Sequence, residues 1–199
     1  MPAIDVQSVR SVLEGGGKII FNRNNINPTK CSMQAKLPAP LGTFDNTLMA
    51  KATIADNTIK MVATKDNDLT ANAVNVLYED QYATTGSIKP PGYIFSDSFG
   101  GCSFYLFRGP MGNIHGAHAS RGNHGQVTNP TSYFTSRGGT LLYTWHSKGN
   151  IPDQRLMNYE LGAVLAVVNA DVTDIFCITT KNQKVTSVLS HEQVSNSAG

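Results

Sequence analysis

Residues 152–170 read "PDQRLMNYELGAVLAVVNA", and the structure assigned to them decides the fold class. Pro152 and Asp153 suit the first turn of a helix. Proline lacks an N–H that would be unpaired there anyway, and a carboxylate meets the positive end of the helix dipole. Beyond them Leu156, Tyr159 (or Met157), Leu161, Val164 (or Leu165) and Val168 form a broad apolar face at helical spacing. The pattern predicts a helix. A second helix is predicted from "AIDVQSVRSVLEGGG", where Ile4 or Val6, Val9, Val12 and Leu13 share a face and Gly15 to Gly17 stop it.

Between and after these helices the chain reads as strands. "KIIFN" (18–22), "KCSMQAKL" (30–37), "TLMAKATIA" (47–55), "TIKMVATK" (58–65) and "AVNVLYE" (73–79) look like an antiparallel run. Asp56-Asn57 reads as a hairpin turn between two of them. Residues 81–100 read as loop, because Pro90-Pro91-Gly92 interrupts regular structure. "CSFYLF" and "NIHGAHA" are joined by "RGPMG"; residues 120–138 are polar and Gly-rich. "TLLYTWHS", "DIFCITT" and "KVTSVLS" are further strands, before a polar tail, "EQVSNSAG". The sum is an α+β fold: one domain over residues 1–199, a mostly antiparallel, sandwich-like core and two packed helices.

With 199 residues the chain is long enough for one well-buried core. Charged residues are only 15%, below the roughly 25% usual for soluble domains. The net charge is +2 and no Lys/Arg block stands out, which gives no footprint for nucleic acid. No apolar run approaches the roughly 20 residues of a membrane span. The N-terminus lacks the basic-then-apolar order of a Sec-type signal peptide. Cys31, Cys102 and Cys177 are far apart with no CxxC, so neither a disulfide framework nor a zinc site is suggested. Cys31 and Cys177 lie in strand-like runs and read as packed thiols.

Cys102 differs. Residues 95–118 read "FSDSFGGCSFYLFRGPMGNIHGAH". A cysteine nucleophile needs a base and donors for a developing oxyanion. Gly100 and Gly101 permit a sharp turn and close approach of substrate, and the amides of Gly101 and Cys102 are candidate oxyanion donors. His115 and His118 point to opposite faces of one strand. An even number of turn residues before that strand places His115 on the Cys102 face, and an odd number places His118 there. The competing reading is a buried thiol beside two structural histidines.

Phe95, Ser96, Phe99, Gly101, Cys102 and His115 follow the pattern Phe-[Ser/Thr]-x-x-apolar-small-Gly-Cys with a histidine about a dozen residues on. This resembles the cysteine-dependent protein glutamine deamidases, the family of the Burkholderia lethal factor, the cytotoxic necrotizing factors and the chemoreceptor deamidases. Chain length, the opening helix and strand, and an "LGxAV"-like late helix (Leu161, Gly162, Ala163, Val164) point the same way. The resemblance implies Cys102 as nucleophile, His115 as base through a thiolate–imidazolium pair, and Ser96, where relatives carry threonine, as orienting hydroxyl. It implies glutamine-to-glutamate conversion through a thioester with no metal or organic cofactor. It also implies a monomeric bacterial toxin exported without a Sec signal and acting in the host cytoplasm. The target would be a host protein, a translation-initiation helicase or a Rho-type GTPase, with no nucleic acid and no membrane as partner. His118 and Asp97 are candidates for substrate binding; Arg121 and His124 fall in a loop that could face substrate, and Trp145 reads as core. Transglutaminase or protease chemistry at the same thiol, and a non-catalytic strand-rich binding module, are the alternatives.

Overall fold

The computed structural model of the chain describes residues 3–30, 43–65, 68–121 and 129–197. The first elements are α1 (Val6–Glu14), β1 (Lys18–Asn22), β2 (Thr29–Lys30), β3 (Thr43–Ala55), β4 (Thr58–Ala63) and β5 (Ala73–Val76). Next come β6 (Ala83–Ile88), β7 (Gly92–Phe99), β8 (Ser103–Arg108), β9 (Ile114–Ala119), α2 (Thr131–Thr135) and β10 (Thr140–His146). The last are α3 (Asp153–Met157), β11 (Leu161–Val168), β12 (Val172–Lys181) and β13 (Lys184–Ser195).

Among the described residues strands make up 54% and helices 11%, which overturns the α+β sandwich with two packed helices. Eight strands close on themselves in the order β3-β4-β1-β13-β12-β11-β7-β5 and back to β3. The barrel is mixed rather than antiparallel: β1 runs parallel to β4, and β5 parallel to β7. A second sheet, β3-β6-β9-β8-β10, grows from the first residues of β3, where Thr43 to Asp45 pair with β6. β3 therefore belongs to both layers.

The helix expected over 152–170 is the main correction. Only Asp153–Met157 is helical; Tyr159 then turns the chain at φ 59°, and Leu161 onward is β11. Gly162 to Val168 are all buried. One face of β11 (Ala163, Leu165, Val167) fills the barrel, and the other (Val164, Ala166, Val168) packs outward against the second sheet. A strand covered on both faces loses its polar/apolar alternation, and its apolar run then matches a helical template as well as a strand. The same correction removes the late-helix part of the resemblance. β6 and β7 lie in the stretch read as loop.

The hairpin at Asp56-Asn57 is present, with both residues at positive φ as a two-residue turn requires. The N-terminal helix is present too: Asp5 caps α1 by accepting from the Gln7 amide at 3.0 Å, and Val9, Val12 and Leu13 enter the barrel cluster. Barrel lumens of eight strands are just filled by side chains, here by Met61, Tyr93, Phe95, Phe176 and Ile178 among others. A second cluster lies between the barrel wall and the second sheet. It contains Val74, Ile94, Phe99, Phe104, Leu106, Trp145 and Ile175. Cys102 and Cys177 both belong to it. Cys31 lies outside the described residues.

Candidate active site

The seam between barrel and sheet holds the candidate site. β7 carries Ser96 and Phe99, three residues apart, on the seam face. A bulge allows this: between Ser96 and Phe99 the register against β11 shifts by one residue, and Ser98 sits at φ 67°. Asp97 and Ser98 are exposed while Ser96 and Phe99 are buried.

The chain then turns through Gly100 and Gly101. Gly101 has φ 150°, which favours glycine. Ser147 pins the turn: its Oγ donates to the Cys102 carbonyl at 2.8 Å and accepts from the Gly101 amide at 2.9 Å. The Gly101 N–H is thus already bonded, which removes it as a ready oxyanion donor. The amides of Arg121 and Gly100 point at the Cys102 sulfur instead.

The β8–β9 turn decides between the histidines. Arg108 pairs with Ile114, so five residues, 109–113, connect the strands. The number is odd. Phe107 therefore faces His115 across the ladder, and Phe104 faces His118. One step beyond the Ser103–Ala119 pair the same register sets Cys102 against Ser120. Cys102, Phe104, His118 and Ser120 consequently share the seam face, with Cys102 and His118 as diagonal neighbours. His115 is on the outer face, edge-on to Phe134 of α2 at 5.3 Å between ring centres. It lines a cavity of about 260 Å³ with Thr85, Pro110, Tyr133 and Arg137. The expectation that His115 serves Cys102 is corrected by this parity.

His118 is fully buried and held on three sides. Its ring stacks on Phe99 (3.9 Å between centres, 6° between planes), and the Tyr78 ring meets it edge-on at 5.4 Å. Its Nδ1 lies 2.9 Å from Ser96 Oγ. The Ser96 hydroxyl also lies 2.8 Å from the Val76 carbonyl, and a carbonyl only accepts. The one hydroxyl proton goes to Val76, so Ser96 must accept from His118 Nδ1–H. The proton is thereby placed on Nδ1, and Nε2 is left as a bare lone pair. Nε2 has no hydrogen-bond partner among the described residues, and neither has the buried Oγ of Ser120.

Electrostatically the site is neutral. Burial pushes His118 down to about 3. Burial is also the largest influence on Cys102 and raises its thiol, while the Arg121 and Gly100 amides oppose it. Both groups are therefore uncharged at pH 7, unlike the expected thiolate–imidazolium pair. Tyr78 is pushed up to about 12, first by burial and then by its bond to Asp80 at 3.1 Å, with Cys102 contributing. It stands 43% exposed at the edge of the site.

Asp97 is on the barrel side of β7, opposite Ser96. It opens on a cavity with Phe21, Phe95, Thr180 and Gln183, whose walls partly desolvate and raise its carboxyl although the side chain still reaches solvent. It is not brought to Cys102. Arg121 lies across Gly101, where an added Cβ would stand 3.5 Å from its Cδ. His124 lies outside the described residues. Trp145 is buried, edge-on to Phe99 at 5.4 Å. Gly162 makes room for this wall, since a Cβ there would stand 2.9 Å from the indole and 3.0 Å from Phe99 Cβ. Tyr78, Ser120 and Ser147 are the members that sequence reasoning missed. Ser120 had a signal, because it follows His118 by two and must share its face. Ser147 and Tyr78 act from distant segments and had none.

The arrangement offers a thiol, a base with its lone pair fixed, and an unpaired hydroxyl on one face. No group of His, Cys, Asp and Glu among the described residues could hold a metal. The chain matches no protein-family model, no curated protein and no solved structure.

Proposed function

We propose that this chain is a cysteine-dependent protein-glutamine deamidase in which Cys102 is the nucleophile, His118 the base and Ser96 the group that orients it. The observation that carries this reading is the Val76–Ser96–His118 chain, which fixes an unprotonated Nε2 on the Cys102 face. A base locked in one tautomer, buried and without a partner, is costly to hold for packing alone. Ser96 in that chain, Phe99 stacked on the His118 ring and Cys102 itself belong to the motif that carries the resemblance. His118 replaces His115 as the family histidine.

Both partners start neutral, so proton transfer accompanies attack. His118 Nε2 takes the thiol proton as sulfur bonds to the amide carbon. The imidazolium then gives that proton to the leaving ammonia. Water, deprotonated by the same nitrogen, hydrolyses the thioester to glutamate. The Arg121 and Gly100 amides stabilise the sulfur anion at each return. The resemblance favours a host protein as substrate, with a translation-initiation helicase first and a Rho-type GTPase second.

Mass spectrometry of a host lysate treated with wild type or Cys102→Ser tests the reading. A gain of about one mass unit at a particular glutamine, absent with Cys102→Ser, is expected. Amine adducts, chain cleavage, or no Cys102-dependent change would sink it.

A further inference from the structure

The geometry points to Ser120 as the side-chain donor that holds the carbonyl oxygen of the acyl group attacked by Cys102. This rests on the reading of Cys102 as an acyl-accepting nucleophile.

Three observations converge. Continued one step past the Ser103–Ala119 pair, the β8–β9 register sets Ser120 across from Cys102, on the face it shares with His118. Ser120 is fully buried, its amide bonds to the Tyr82 carbonyl at 2.9 Å, and its hydroxyl has no partner among the described residues. A buried hydroxyl with no partner is a net cost to the fold. The backbone donor that such a turn would ordinarily supply, the Gly101 N–H, is bonded to Ser147. Where the Gly101 amide is occupied, the Ser120 hydroxyl is, among the described residues, a donor to spare.

In the step proposed, the sulfur–carbon bond forms and the carbonyl π pair moves onto oxygen. The Ser120 O–H donates a hydrogen bond to that oxygen without losing its proton. Collapse re-forms C=O and breaks the C–N bond, and ammonia departs with the proton carried by His118. In this step a primary carboxamide presents its oxygen to Ser120 and its nitrogen leaves toward Nε2.

The test compares two reactions of Cys102 that need no cognate substrate. Acylation by p-nitrophenyl acetate passes through an oxyanion; alkylation by iodoacetamide does not. For Ser120→Ala, acylation of Cys102, read by mass spectrometry of the labelled peptide, should fall about 100-fold, as for loss of one oxyanion donor. Alkylation should stay within twofold of wild type, and the melting temperature should be equal or higher. Should Ser120→Ala fail to fold, Ser120→Gly carries the same expectation. Acylation within threefold of wild type, a parallel fall in both reactions, or a wild type that is not acylated at Cys102 would overturn the assignment. Failure of the deamidase reading looks different: normal Ser120-dependent acylation with no glutamine-to-glutamate change in the lysate.

Discussion

His115 and His118 are three residues apart on one strand and meet opposite surroundings. His118 faces the seam, fully buried, stacked on Phe99 and bonded to Ser96. His115 faces outward beneath α2, beside Phe134 and the Gly109–Asn113 turn. Neither composition nor motif distinguishes them. The count of residues in the preceding turn does, because one residue more or fewer exchanges the two faces of the whole strand. A motif that names "a histidine about a dozen residues on" is therefore incomplete without the parity of its hairpin.

The sharpest break of the comparison is a pair of alanine substitutions. His118→Ala should lower Cys102-dependent activity about 10³-fold, within the usual range for a general acid–base group. His115→Ala should leave it within twofold. Acylation of Cys102 by p-nitrophenyl acetate provides the measurement, and the reverse ranking would restore His115 to the site.

The two seam cysteines extend the same contrast. Cys177 is fully buried, 3.6 Å from the Tyr143 hydroxyl, and burial pushes it up to about 11. Iodoacetamide at pH 8 should label Cys102 on the order of 100-fold faster than Cys177, whose reaction waits on local opening. Because the Cys102 thiol is raised rather than lowered, its labelling should also climb steeply between pH 7 and 9. A plateau at neutral pH would mean a preformed thiolate.

In the proposed site Ser96 positions His118, and its removal should cost less than that of His118. Ser96→Ala should slow acylation about tenfold, equivalent to one hydrogen bond of roughly 1.4 kcal/mol. Ser96→Thr should recover most of the loss, since it keeps the hydroxyl. A merely structural serine would show no such rescue.

A last effect is on stability against pH. His118 is held down to about 3 in the fold, whereas an unfolded histidine titrates near 6.5. Between those values the unfolded chain binds the extra proton, so falling pH favours unfolding. The contribution is intact above about pH 6.5 and is lost progressively toward pH 3, by about 1.4 kcal/mol per pH unit. Denaturant titrations of wild type and His118→Gln at pH 5 and 7 should differ by that slope. Equal slopes would place the His118 ring in contact with water.

Much of the first half of the fold was legible: "KIIFN", the Asp56-Asn57 hairpin and the capped helix α1 each carry local signals that tertiary packing does not override. Residues 161–168 failed because β11 is covered on both faces, so its valines and leucines show no alternation. β6 and β7 were hidden for another reason. "ATTGSI" and "GYIFSDSF" are interrupted by small and polar residues and separated by Pro90-Pro91, and only pairing to distant β9 and β11 makes them strands. Cys102 and Ser96 were singled out because they lie six positions apart within one short motif. The choice of base depended on a loop length that periodicity cannot supply.

The sharing of β3 has a consequence for motion. Ser96 stands on a barrel strand and His118 on a strand of the second sheet, so the bond between them is a bond between layers. Thirteen residues of one continuous strand run through both layers, and neither layer can peel away without breaking the ladder of the other. Backbone amides flanking Ser96 and His118 should therefore exchange with deuterium in one concerted opening. In mechanical terms, β3 is the common spine that keeps Ser96 and His118 in step.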